Sequence, residues 1–250
     1  MTEQTFHISS YDSNPKSTLR FSSLLKYMQE VALADCASYG ATYAAMREQS
    51  MVFVLIRSSV QLDGLIRSGD VISIKTWSQS IKGASFYRDF IFSRDGKRVG
   101  GARTQWVLLN YETRKICKPS TFKWPLVHFE ERSGVEISGI MTDGELCGRR
   151  EDSLVRYSLL DENAHLNNAL YLDVLDDTVS IHGDISRADL HYISELHADE
   201  RFTVVMAENA DGYEARMIKE NGDVAFAAVV KYFGRERYEE DHRQKEHSSE

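Results

Sequence analysis

The stretch Ser158-Leu-Leu-Asp161-Glu-Asn163-Ala-His165-Leu-Asn167-Asn168-Ala-Leu-Tyr171 decides how the chain is read. It carries the pattern Asp-x-Asn-x-His-x-Asn-Asn and runs into a segment of helical periodicity. Just upstream, Ser153-Leu-Val-Arg-Tyr-Ser158 reads as a short strand. Downstream, Asp173, Asp176, Asp177 and Ser180 fall on one face of a helix, and Leu170, Val174, Thr178 and Ile181 on another. A carboxylate, an amide and an imidazole therefore sit on a loop that enters a helix. The first N–H groups of a helix lack intrahelical partners, so such an end can polarise a carbonyl or hold an oxyanion. Asp and Asn also cap helices and form turns, so the pattern needs support from the rest of the chain.

Outward from this stretch the order of elements repeats. Past the helix come four strand-like runs, 185–196, 202–208, 213–219 and 224–233, with Asn221-Gly222 as a hairpin turn. The first half reads the same way. A strand over 5–10 and a turn-rich loop with Pro15 precede a helix in which Phe21, Leu24, Leu25, Met28, Val31 and Ala32 recur at three and four. Gly40 supplies its terminal left-handed residue. Strand-like runs follow at 51–62, 71–77, 85–93 and 99–110, with Asp95-Gly96 at a hairpin. Arg57-Ser-Ser-Val…Asp70-Val-Ile resembles Arg187-Ala-Asp-Leu…Glu200-Arg-Phe about 130 positions later, the mark of a duplication. Between the halves, residues 121–150 are Pro-punctuated and polar and read as a connector with some helix. Periodicity alone gives an α+β protein, duplicated. Residues 235–250 are charged and aperiodic, as in a disordered tail.

The central stretch resembles the catalytic loop of acyl-acyl carrier protein thioesterases of plants and bacteria. Asp161, Asn163, His165, Asn167, Asn168 and Tyr171 match that motif, and Leu190-His-Tyr192-Ile-Ser-Glu195 matches a second one, whose Glu is a further catalytic carboxylate. Plant members often carry Cys at the next position, where this chain has Leu196. A mechanism through that thiol is therefore ruled out. The resemblance runs from about Phe6 to Phe233 and implies two tandem hotdog domains fused as a pseudo-dimer, each a long helix wrapped by an antiparallel sheet. It implies an N-terminal hotdog over 1–120 that binds the acyl chain and a catalytic C-terminal one over 151–234. Setting Phe21-Ser-Ser-Leu-Leu against Leu166-Asn-Asn-Ala-Leu places Lys16, Thr18 and Arg20 opposite Asp161, Asn163 and His165. Leu65 stands opposite Glu195. The N-terminal copy has none of the four, which leaves one active site.

Thioester hydrolysis needs an activated water, a polarised carbonyl and a stabilised oxyanion. Glu195 is the preferred base, assisted by His165. Asn163 orients the water or bonds the oxyanion, and backbone N–H groups at His165, Leu166 and Asn167 polarise the carbonyl. Asp161 orients a neighbour or shares the base role; which carboxylate acts stays open. No Gly-x-Ser-x-Gly elbow is present, and His182, His191 and His197 lack any known ligand spacing. Neither cofactor nor metal is expected. Met28, Ala32, Phe53, Leu55 and Trp77 are candidates to line an acyl channel. Docking of an acidic acyl carrier protein falls to Arg114, Lys115, Lys118 and Lys123, or to Arg149 and Arg150.

Composition sets the outer bounds. The 250 residues carry 38 acidic and 30 basic side chains, a net charge of −8, which argues against general nucleic-acid binding. Three cysteines, none in a Cys-x-x-Cys pair, fit a reducing compartment. The polar start and the shortness of the longest apolar run, 51–56, point to a soluble cytoplasmic protein without stable membrane insertion. It is expected as a monomeric pseudo-dimer or a homodimer. Acyl-CoA hydrolysis, dehydration of a 3-hydroxyacyl thioester and non-catalytic acyl binding are the alternatives on the same fold.

Overall fold

The computed structural model describes residues 1–180 and 182–234. The charged stretch 235–250, with His242 and His247, and Ile181 lie outside them. In the N-terminal half, helix α1 (Phe21–Ser38) buries Leu24, Leu25, Met28, Val31 and Ala32 on one face, as the three-and-four spacing predicts. Gly40, at φ +86°, lets the chain turn away just beyond its end. Around it run strands β1 (Thr2–His7), β2 (Met51–Leu62), β3 (Val71–Lys82), β4 (Ser85–Arg94) and β5 (Lys97–Asn110). Asp95 and Gly96 both have positive φ, the geometry of a tight β4–β5 hairpin. A short helix α2 (Tyr43–Glu48), capped by the Thr42 hydroxyl, lies between α1 and β2; its six residues are too few to show a period.

The C-terminal half repeats the plan with β6 (Arg149–Leu154), helix α3 (Tyr171–Asp176), β7 (Ile185–Tyr192), β8 (Arg201–Asn209), β9 (Gly212–Lys219) and β10 (Val224–Tyr232). All ten strands join one antiparallel sheet in the order β1-β3-β4-β5-β2-β7-β10-β9-β8-β6. The halves meet at β2 and β7, where Ser59 pairs with Asp189 and Arg57 with His191. The two five-stranded sheets and their helices form the tandem hotdog expected, with the core between sheet and helices.

The copies differ in length in one place. Thr2 stands to Thr76 in β1–β3 as Arg149 stands to Met206 in β6–β8. Equivalent residues are therefore 147 apart before the helix and 130 apart after it, and the second copy is 17 residues shorter between. That loss removes most of the second helix: α3 has six residues where α1 has eighteen. The long helix expected after the motif is thus a short one. The alignment above also shifts by two positions. The bridges Ser13–Leu19 and Leu160–Leu166 correspond, as do Thr18–Arg67 and His165–His197. Asp161, Asn163 and His165 therefore stand opposite Asn14, Lys16 and Thr18, while Leu65 still stands opposite Glu195.

The connector holds no α-helix; a single tight turn at Pro119–Thr121 ends where it begins. Pairing of β6 already begins at Arg149, two residues before the expected boundary. Between these points an extended strap crosses the outer face of the sheet. Glu131 pairs with Lys75 (2.7 Å), and its carbonyl accepts the Trp77 indole N–H (3.2 Å). Further on, Ser133 N–H donates to Asp89, Arg187 bonds the Glu136 carbonyl, and Arg216 bonds the carbonyls of Met141, Thr142 and Gly144. Beneath it, Arg103 clamps the fully buried Asp89 with two bonds of 2.7 and 3.0 Å. Removing one member of a buried pair strands the other's charge. Asp89→Ala should therefore cost about 3–5 kcal/mol in denaturant unfolding.

A second carboxylate sits badly at neutral pH. Burial, with the charges of Asp173 and Asp177, pushes the Asp176 carboxyl up to about 7, and Arg20 offsets part of this. Folding then favours the protonated form, while the unfolded chain ionises near its ordinary 3.8. The cost to stability grows as pH rises between those values and is constant above the upper one. Thermal melts of Asp176→Asn should lie above wild type by a margin that widens from about pH 4 to about pH 7 and then stays level.

Candidate active site

The loop 161–167 is built by its own backbone. Asp161 Oδ1 accepts the Asn163 N–H (2.8 Å), the Asp161 carbonyl accepts the Ala164 N–H (3.0 Å), and the His165 carbonyl accepts the Asp161 N–H (2.9 Å). Ala164 turns through φ +62° to close it. These bonds throw His165 back over Asp161, with Nδ1 at 3.4 Å from Asp161 Oδ2 and 3.4 Å from the Leu166 carbonyl. Two acceptors at Nδ1 favour the tautomer that carries its proton there. Nε2 faces Glu195 Oε1 at 4.0 Å.

Glu195 lies on the loop after β7. Ile193 and Ser194 N–H groups bond the Ala225 carbonyl, and the Lys219 ammonium bonds the Glu195 carbonyl (2.6 Å) and pairs with Glu200 (3.0 Å). The carboxylate is a quarter exposed and receives a 2.6 Å bond from Arg114 on Oε2; His197 Nε2 is 3.8 Å from the same oxygen. Partial burial pushes the Glu195 carboxyl up. The hydrogen bond and charge of Arg114, with His165 and His197, outweigh that and hold it below the ordinary carboxylate value. Asp161, His165 and Glu195 thus lie in one run of contacts, and Asn163 shares their loop through its backbone bond to Asp161. Asn163 Oδ1 accepts the Tyr43 hydroxyl (2.8 Å).

The backbone donors fall elsewhere. Leu166 N–H bonds the Leu196 carbonyl (2.7 Å) and Asn167 N–H the Leu159 carbonyl (2.9 Å). Helix α3 starts only at Tyr171. Leu166 and Asn167 therefore hold the loop against its neighbours and are not donors at a helix terminus. Leu196, at the position that is often Cys in the plant members, is fully buried.

Two apolar cavities lie between α1 and the sheet, sharing Gln29, Ala32 and Trp106. One, of about 410 Å³ including the part open to solvent, is lined by Met28, Leu55, Asn168, Ala169 and Tyr192. The Tyr192 hydroxyl bonds the Asn168 carbonyl (2.9 Å), tying the end of β7 to the end of the motif. The other, of about 550 Å³ on the same measure, crosses from Phe53 on β2 past Trp106 and Phe86 to Arg88 and Ser78. That is four adjacent strands, roughly 14 Å at the usual spacing. Met28, Ala32, Phe53 and Leu55 line these spaces. Trp77 does not: Ile72, Ile74 and Thr76 take the inner side of β3, so Trp77 points outward, fully buried under the strap.

The basic residues also divide. Lys115, Lys118 and Lys123 are exposed on the segment that leaves β5 beside the site. Arg114 is occupied by Glu195. Arg149 and Arg150 lie on β6 at the far edge, four strands from the seam, with Arg149 paired to Glu151 (2.9 Å). Sequence reasoning missed Tyr43 and the site role of Arg114; each bond joins the two halves across a sequence gap without a motif.

Fold and site together define a fused pair of hotdog domains with a cluster of Asp161, His165 and Glu195 where Arg114 of the first half meets the second. The acyl-ACP thioesterase N-terminal domain model matches residues 1–120 and the C-terminal domain model residues 148–233. The chain belongs to the acyl-ACP thioesterase family. It is 27% identical over 188 residues to a chloroplastic palmitoyl-acyl carrier protein thioesterase of Gossypium hirsutum, covering 68% of this chain and 45% of that protein. A chloroplastic oleoyl-acyl carrier protein thioesterase of Arabidopsis thaliana is 27% identical over 192 residues, covering 68% and 52%. The chain thus spans about half the length of the curated relatives it matches. Its fold is shared with an acyl-ACP thioesterase of Bacteroides thetaiotaomicron (TM-score 0.84, 20% identity, 92% of this chain and 96% of that one). It is shared too with the 12:0-ACP thioesterase of Umbellularia californica (TM-score 0.76, 20% identity, 92% and 95%).

Proposed function

We propose that this protein hydrolyses the thioester of acyl-acyl carrier protein and releases a free fatty acid. The observation that carries the reading is the run of contacts Asp161–His165–Glu195 on a loop whose end, Asn168 and Ala169, lines an apolar cavity. The N-terminal hotdog, 1–120, holds the acyl chain, and the C-terminal one, 151–234, performs the chemistry. Family membership supports the substrate class.

In the proposed cycle a water lies between Glu195 Oε1 and His165 Nε2. Glu195 takes its proton as the oxygen attacks the carbonyl carbon. The Asn163 side-chain N–H donates to the oxyanion, since its Oδ1 is already occupied. Collapse of the tetrahedral intermediate breaks the C–S bond, and the proton passes to the departing thiolate. Asp161 keeps the His165 tautomer fixed. The chemistry calls for no cofactor. Lys115, Lys118 and Lys123 offer a basic edge to an acidic carrier protein near the reacting bond. A role in fatty acid biosynthesis follows from this substrate. The three cysteines are free thiols, which supports a reducing compartment such as the cytoplasm. No helix among the described residues is long and apolar enough to cross a membrane.

The test is thiol release from a panel of acyl-acyl carrier proteins, beside the matching acyl-CoAs, with Glu195→Ala as control. Faster release from the carrier protein, lost in the variant, supports the reading. Release from CoA alone moves the substrate; release from neither sinks hydrolysis and leaves dehydration or acyl binding. Glu195→Gln should lower kcat by about 10²–10⁴ and Asn163→Ala by about 10²–10³. Ala32→Phe, which intrudes on both cavities, should lower kcat/KM for the longest accepted chain by roughly 10–200-fold relative to the shortest.

A further inference from the structure

The catalytic loop belongs to the C-terminal half, yet two side chains of the N-terminal half reach it. Arg114 leaves β5 in a turn in which its N–H bonds the Asn110 carbonyl (2.9 Å) and its φ is +56°. The turn is braced by two bonds from Thr113 to Asn110 Oδ1 (2.8 and 2.9 Å). The Arg114 guanidinium meets Glu195 Oε2 at 2.6 Å. Tyr43, the first residue of α2, donates its hydroxyl to Asn163 Oδ1. The equivalent loop of the N-terminal half is met from the other side in the same fashion. Thr18 and Asn14 bond the Asp184 carboxylate, and the Lys16 ammonium bonds the His182 carbonyl. In each case the segment that follows one half's helix bonds the loop of the other half, Tyr43 on one side and residues 182–184 on the other, and Arg114 after β5 adds a second contact. On the side of residues 182–184 the contact ties Thr18 and Asn14 to a carboxylate. On the other it leaves the Glu195 carboxylate facing the His165 imidazole.

We propose that Arg114 and Tyr43 are positioning residues: the N-terminal half completes the active site by fixing the Glu195 carboxylate and the Asn163 amide. This rests on the assignment of Glu195 as base and Asn163 as oxyanion donor. The clamp divides the carboxylate. Oε2 is held by Arg114, so Oε1 is the oxygen turned to His165 and free to take a proton. The phenol does the same for the amide. With Oδ1 accepting from Tyr43, the N–H₂ end is the one left to face a substrate oxygen. Holding reacting groups in one orientation carries a large share of a rate, and small misplacements are costly.

The Arg114 side chain is 53% exposed, and ion pairs that open to water add little stability. Its removal should therefore spare the fold while changing the chemistry. The groups around Glu195 are Arg114 after β5, His165 with Asp161 behind it, His197 on the same loop, Lys219 on β9 with Glu200, and the buried Tyr171 on α3. Only Arg114 comes from the other half.

The experiment compares Arg114→Gln, Arg114→Lys, Tyr43→Phe and Glu195→Ala in the full chain. The substrate is the acyl-acyl carrier protein hydrolysed fastest in the panel, with kcat and KM measured across pH and melting followed in parallel. Arg114→Gln should melt like wild type, lose about ten- to a hundredfold in kcat, and show its acidic limb moved to higher pH. The limb moves up because a lost cation stops favouring the charged carboxylate. Arg114→Lys keeps the charge without the planar guanidinium, so its limb should stay near wild type while kcat falls. Tyr43→Phe should lose about tenfold in kcat with KM little changed. A ¹³C NMR titration of the Glu195 carboxyl in wild type and Arg114→Gln reads the same clamp without turnover. An unmoved titration and unchanged kcat in Arg114→Gln, with Glu195→Ala inactive, would overturn the inference and leave the thioesterase reading standing. An active Glu195→Ala would overturn both the base assignment and the clamp built on it.

Discussion

The pairing of β2 with β7 is the constraint on which the rest depends. Equivalent strand residues are 130 positions apart, and Ser59 pairs with Asp189, its own counterpart. A residue that faces its own copy lies on a two-fold axis, so the pseudo-dyad of the duplication passes through this pair. The Ser59 hydroxyl bonds the Asp189 carboxylate at 2.5 Å on the axis itself. One register thus turns two five-stranded sheets into a single ten-stranded one. It also sets α1 beside α3 and brings the end of β5 within reach of the loop after β7. A slip of one residue would turn every side chain of one strand to the opposite face and separate Arg114 from Glu195.

Much of this was legible because the physics is local. The three-and-four spacing of α1, the left-handed Gly40, the Asp95-Gly96 turn and the alternation of the long strands each carry their own signal. The motif marked the site because Asp161, Asn163 and His165 lie within one turn of backbone. What the sequence hid is non-local. Helix α2 is too short to show a period. The length of α3 could not be read, because Val179 keeps the apolar spacing beyond Asp176, where the helix has already ended. Trp77 reads as channel lining until the parity of β3 and the strap above it are known. The two-position error in aligning the loops came from matching helix starts, when one helix begins late. Arg114 and Glu195 are 81 positions apart, and no spacing joins them.

The polar outer face of the sheet has a physical reason of the same kind. Asp89 and Arg103 are buried charges on central strands, a placement that is costly without partners. The strap supplies them: Ser133 donates to Asp89, and Glu136 pairs with Arg103 at 2.6 Å. Further along, Arg187 holds Asp189 and bonds Ser138 as the strap crosses the axis. The chain between the halves therefore acts as a third layer. It covers the face that the helices leave open and carries the polypeptide from the β5 end of one copy to the far edge of the other.

The left-handed turn in the motif loop has a wider consequence. Ala164 has φ +62° and its counterpart Ser17 has φ +59°, although neither is glycine. The two loops share a backbone mould while one carries Asp, Asn and His and the other Asn, Lys and Thr. Shape and reactivity are thus separable properties of this loop: the mould is symmetric and the cargo is not. Recasting the first loop with the second's side chains would still leave it inert, because Leu65 stands where the second loop meets its carboxylate. Under the proposed mechanism a second active centre is thus excluded twice, by the residues on the loop and by the neighbour across from it.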